Sequence, residues 1–104
     1  MTKIIEVKGS VQEWVERNSM QIHMEVLDAC ERGLESNENE VDVIILKTNK
    51  GITKFVLNTP GKITRALELS LESFVKTEEY ELAARARDCI FGWNEKQQTI
   101  CQNQ

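Results

Sequence analysis

The chain has 104 residues and a mass of 12.0 kDa, with 40% hydrophobic and 29% charged residues, which suits one domain burying roughly 65% of its unfolded surface. Thirteen Lys+Arg against seventeen Asp+Glu give a net charge of -4, so no large cationic surface faces a phosphate backbone and direct nucleic-acid binding is disfavoured. No apolar run approaches the ~20 residues that span a bilayer, and Met1-Thr2-Lys3-Ile4-Ile5-Glu6 lacks the apolar stretch of a secretion signal. The expectation is a cytoplasmic chain with no membrane partner.

Lys3 to Lys8 is short and rich in β-branched residues, and Gly9 closes it. It reads as a strand, at a sheet edge because lysine stands at both ends. Ser10-Val11-Gln12-Glu13 has the spacing of a capping box, so a helix should begin at Val11. Val11, Trp14, Val15, Ile22, Val26, Leu27, Cys30 and Leu34 then keep three- and four-residue steps. Asn18-Ser19 interrupts that stripe. A break into two helices and a single helix ending near Gly33 both fit, and the single helix is the expectation. Glu35 to Glu40 is wholly polar and reads as a surface loop.

Val41 to Lys47 and Ile52 to Leu57 are β-rich runs separated by Thr48-Asn49-Lys50-Gly51, where Asn and Gly offer positive-φ positions. An antiparallel hairpin is predicted. Its apolar residues occupy both alternating registers, which suggests cover on two faces: the long helix on one, the C-terminal helices or another subunit on the other. Pro60-Gly61 reads as the turn that ends the hairpin. Ile63, Ala66, Leu67, Leu69, Leu71, Phe74 and Val75 follow as one helix, and Lys76-Thr77-Glu78 breaks it. A second helix carries Tyr80, Leu82, Ala83, Ala86, Cys89, Ile90 and Trp93, with a polar tail from Thr99 to Gln104. The whole predicts an α+β domain: a small mixed three-stranded sheet covered by a long helix (residues 1–60), then an antiparallel helical hairpin (61–98) and a tail (99–104).

Residues that carry chemistry are scarce. Cys30, Cys89 and Cys101 are an odd number at wide spacing, and His23 is the only histidine, so neither a disulfide framework nor a zinc site is expected. The five glycines stand apart and open no phosphate-binding loop. No catalytic, metal-ligating or cofactor-binding residue is assigned, and no cofactor is expected. Trp14 and Trp93 lie on apolar stripes and read as core anchors.

Glu79-Tyr80-Glu81-Leu82-Ala83-Ala84-Arg85-Ala86-Arg87-Asp88-Cys89-Ile90 resembles the UVR motif, a short helical hairpin found in the excision-repair proteins UvrB and UvrC and in accessory proteins of the Clp protease system. The resemblance spans roughly residues 63–97. Tyr80, Glu81, Ala83, Ala84, Arg85, Arg87, Asp88 and Ile90 match the motif's order, while Leu67, Leu71 and Trp93 stand where it expects apolar packing. Ala86 replaces a usual leucine, Glu78 stands where an apolar residue closes the turn, and Phe74-Val75 replace small residues. The resemblance implies a non-enzymatic adaptor or regulator docking on a protein partner, itself or a larger machine of DNA repair or protein quality control. The expected partner-binding residues are Tyr80, Leu82, Ala83, Ala84, Ala86, Arg87, Asp88 and Ile90, because small side chains let helices approach and a lone hairpin buries too little by itself. A homodimer is one form of such docking. The alternative rests on Glu25, Asp28, Glu31, Glu35, Glu38, Glu40 and Asp42: a small acidic regulator of a nucleic-acid-processing enzyme, associating with or mimicking nucleic acid.

Overall fold

The structure, a computed structural model, describes the backbone of residues 2–102 and the side chains of residues 2–97. Its elements run β1 (Lys3–Glu6), α1 (Val11–Arg17), α2 (Ser19–Glu35), β2 (Val41–Thr48), β3 (Gly51–Leu57), α3 (Pro60–Lys76) and α4 (Tyr80–Gln102). The sheet order is β1-β2-β3, with β1 parallel and β3 antiparallel to β2. This is the expected α+β arrangement, with β1 at an edge. α2 lies across β2, α3 packs on α2, and α4 packs on both α3 and α2.

The long helix is two helices. Ser10 starts α1 as expected, its Oγ accepting from the Glu13 amide at 3.4 Å. Asn18 ends it: both the Asn18 backbone N–H and its side-chain amide donate to the Trp14 carbonyl, each at 2.9 Å. A side chain that competes for backbone partners in this way opens a helix, and Asn18 sits at φ -117°, ψ 30°. The Asn18 carbonyl then accepts from Ile22 at 3.0 Å to begin α2. α2 runs past Gly33 to Glu35 and closes with a Schellman motif: Asn37 takes φ 56°, Glu38 N–H donates to the Gly33 carbonyl at 3.0 Å, and Asn37 N–H donates to Leu34 at 3.3 Å.

Pro60-Gly61 is part of α3 rather than a turn before it. Thr59 caps the helix by accepting from the Lys62 amide at 3.2 Å, and proline at the first position gives up an N–H that has no helical partner anyway. In the β2–β3 turn Gly51 takes positive φ (145°), whereas Asn49 does not. The expected tail is also shorter, because α4 continues through residues 99–102, and residues 103–104 lie outside the described part.

One irregularity decides how the sheet is buried. Asp42 pairs with Val56 and Ile44 with the adjacent Phe55, so Val43 is an extra residue, a β-bulge. The bulge shifts the alternation by one and turns Val41, Val43, Ile44 and Leu46 all toward the core, where each is buried. The apolar residues in both registers therefore signal a bulge rather than two covered faces. The helices lie on one side of the sheet, and the opposite side keeps Ile4 and Ile52 open to solvent at 63% and 64%. Glycine allows the close approach on the covered side: a Cβ on Gly33 of α2 would stand 2.3 Å from Val41 Cγ1 and 3.3 Å from Trp93 Cζ2.

Candidate functional site

α4 has two sides, and helical spacing separates them. Ala83, Ala86, Cys89 and Trp93 recur at three- and four-residue steps and are buried in the core. Leu82 and Ile90 border this side, partly buried and packed against the same core. Trp93 anchors it: fully buried, its Nε1–H donates to the Cys30 carbonyl at 3.0 Å, while the Lys96 ammonium lies 4.6 Å from the ring centroid and donates to the Glu38 carbonyl. Much of the expected docking seam is thus spent inside the monomer. Ala83 and Ala86 serve close packing, as their size predicts, but within the chain.

The other side carries Tyr80, Ala84, Arg87 and Phe91, spaced i, i+4, i+7 and i+11, so they form one stripe about 16 Å long. Tyr80 is 63% and Phe91 64% exposed, and Ala84 between them is half-buried. Arg87 and Asp88 are open to solvent and pair only with each other among the described residues, at 3.7 Å. Neither reaches another element. Arg85 does: its Nε and Nη2 donate to the two Glu31 carboxylate oxygens at 3.2 and 2.6 Å, and Nη2 also reaches Asp28 at 3.1 Å. This fork ties α4 to α2. Glu31 hydrogen bonding leads the effects that raise the guanidinium's pKa above its ordinary value.

Sequence reasoning placed Arg85 in the motif without a role, because its partners lie more than fifty positions away. It also passed over Phe91, whose exposure follows from standing eleven residues after Tyr80. That spacing was the available signal.

The groups that might have served chemistry are placed differently. Cys30 and Cys89 are free and buried, and burial, with a smaller contribution from nearby negative charge, pushes their thiols up to about 12 and about 11. Both stay protonated at neutral pH and are poor nucleophiles. The Cys101 side chain lies outside the described residues. His23 is half-buried, with Nδ1 2.8 Å from the buried Ser70 Oγ and its ring edge-on to Phe74. Burial lowers its pKa. Among the described residues no three His, Cys, Asp or Glu side chains converge as a metal ion requires. An open cavity of about 650 Å³ lies beside the β2–β3 turn, but Lys50 is the one ionisable side chain in its lining, which gives no pair for acid–base work. No described helix is long and apolar enough to cross a membrane.

No family model matches this chain, and no curated protein or solved structure matches it.

Proposed function

We propose that the chain is a non-enzymatic adaptor or regulator that docks a protein partner on the outward stripe of α4. The observation that carries this reading is the pairing of Tyr80 with Phe91 on one side of α4, two large aromatic side chains each left nearly two-thirds exposed. Aromatic residues of this kind anchor protein interfaces, because they offer a large rigid area at small entropic cost. Ala84 between them leaves room for a partner helix to approach, and the Arg87–Asp88 pair supplies charges that specify orientation more than affinity. The resemblance to the UVR motif supplies the class of partner: a cytoplasmic protein machine of DNA repair or protein quality control. Of the expected docking residues, Tyr80, Ala84, Arg87 and Asp88 carry this reading, whereas Leu82, Ala83, Ala86 and Ile90 hold the hairpin to the body of the domain.

The acidic-regulator reading loses support. Glu25 pairs with Lys3 at 3.1 Å, and Asp28 and Glu31 are both engaged by Arg85. The carboxylates remaining toward the 36–40 loop are too few to imitate a phosphate backbone.

The test is affinity purification with mass spectrometry using the wild-type chain and a Tyr80→Ser/Phe91→Ser variant. A defined protein retained by the first and lost by the second, at equal thermal stability, is the expected result. Identical captured sets from both chains would end this reading.

A further inference from the structure

The uncovered side of the sheet has a pattern of its own, independent of the α4 stripe. Residues paired across neighbouring strands share a face, so the registers lay this side out in rows. Ile4, Ile45 and Lys54 form the central row. Two positions away along β3 in one direction lie Lys47 and Ile52, with Glu6 alongside. Two positions away in the other direction lie Asp42 and Val56. The bulge at Val43 decides what stands in that last row: with unbroken alternation Val43 would face outward there and Asp42 would face the core. Ile4, Ile52 and Val56 are exposed, Ile45 is half-buried, and Lys47, Lys54 and Asp42 are open to solvent.

Such a face is complementary to itself. A two-fold axis running across the strands along the central row places a second copy's sheet on the first with its strands reversed, an aligned packing of the kind sheets adopt. That operation sets Lys47 of each copy against Asp42 of the other, and Ile52 of each against Val56 of the other. Ile4 and Ile45 meet their own counterparts on the axis. Lys54 also meets its counterpart, but β3 is an edge strand, so the two ammonium groups extend to the rim and stay hydrated. A two-fold axis along the strands fails the same examination, because it opposes Lys47 to Lys47 and Asp42 to Asp42.

We infer that the outer sheet face is a homodimer interface, two copies related by a two-fold axis across the strands and fixed in register by reciprocal Lys47–Asp42 pairs. Strands of four, eight and seven residues present roughly 300 Å² per copy at ordinary strand spacing and rise. That is well under half of the roughly 800 Å² a standard specific interface buries on each side. The dimer is therefore weak and concentration-dependent.

Sedimentation velocity from micromolar to millimolar concentration tests the inference. The wild-type mass rises toward twice the monomer, and amide shifts in a dilution series move at residues 4, 42, 45, 47, 52 and 56. Lys47→Glu and Asp42→Lys each oppose like charges in a homodimer and weaken association by about tenfold or more. An equimolar mixture of the two variants regains it, since each heterodimer then has two attractive pairs. Both substitutions are on exposed positions, and the shift series on the wild-type chain needs no variant. A wild-type chain that stays monomeric through the millimolar range, shift changes confined to other surfaces, or a mixture no more associated than its components would each overturn the inference.

Discussion

Neighbouring residues on α4 have opposite environments: Ala83 is 7% exposed while Ala84 is half-open, and Ala86 is fully buried while the Arg87 side chain is 72% exposed. The same helix thus presents one side whose chemistry is consumed by folding and another whose apolar groups, Tyr80 and Phe91, do nothing for the monomer's core. Small residues explain the first side, since they bring α4 close to α2 and α3. They do not explain the second, where large aromatic side chains gain nothing from water. This difference is the physical basis for assigning docking to the outward stripe.

The strongest way to break that comparison is to place a carboxylate on each side. Ala86→Glu should destabilise by about 3–5 kcal/mol, because it buries a charge without a partner, whereas Ala84→Glu should change stability by less than about 1 kcal/mol. Urea melts of both variants decide it, and equal losses would show that α4 has no sidedness.

Glycine contacts sharpen the comparison next. Gly33→Ala must displace Val41, a stiff buried side chain, and should cost about 1–2 kcal/mol even after the gain in helix propensity. Gly92→Ala meets Leu34 Cδ2 at 2.5 Å, the far end of a flexible and partly exposed side chain, and should be nearly neutral by the same melts. A smaller contrast separates the arginines. Arg85→Ala should cost about 1 kcal/mol, since its carboxylate partners are only partly shielded from water, and Arg87→Ala close to nothing. A double-mutant cycle with Glu31→Gln should assign the Arg85 loss to that pair.

The ends of α2 and α3 differ in the same instructive way. Both close with a residue in the left-handed region, but Asn37 is suited to it and Glu78 (φ 60°) is not. Glu78→Gly should therefore stabilise by about 0.5–1 kcal/mol, visible as a higher melting temperature. Last, burial of His23 favours its neutral form and lowers its pKa from 6.5. The unfolded chain then binds the extra proton first, so this contribution is complete above pH 6.5 and is lost as pH falls from 6.5 toward the lowered value. Melting temperature should fall over that window, and His23→Gln should flatten the part of the slope that His23 supplies.

Much of the fold could be read from local pattern. The β-branched runs around Asn49 to Gly51, the Ser10 cap and the polar break at Lys76 to Glu78 all act within a few residues of themselves, and the elements stand where those signals put them. The misreadings have a different origin. Asn18 breaks the helix through its own side chain, a choice that helical spacing does not encode. The bulge at Val43 made one buried face look like two. The candidate site was legible as a helix with an unusual run of alanines, but its sidedness was not. Helical spacing groups Ala83 with Ala86 and Tyr80 with Phe91, but which group turns inward is decided by contacts with α2 and α3, including an Arg85–Glu31 pair that joins positions 54 residues apart.

The most direct test of the sidedness is a photo-crosslinking phenylalanine analogue introduced in living cells at position 91, with position 12 on the exposed side of α1 as the control. A discrete protein adduct is expected from position 91, absent from position 12 and lost when Tyr80→Ser is added. No adduct at 91, or the same adduct from both positions, would contradict it.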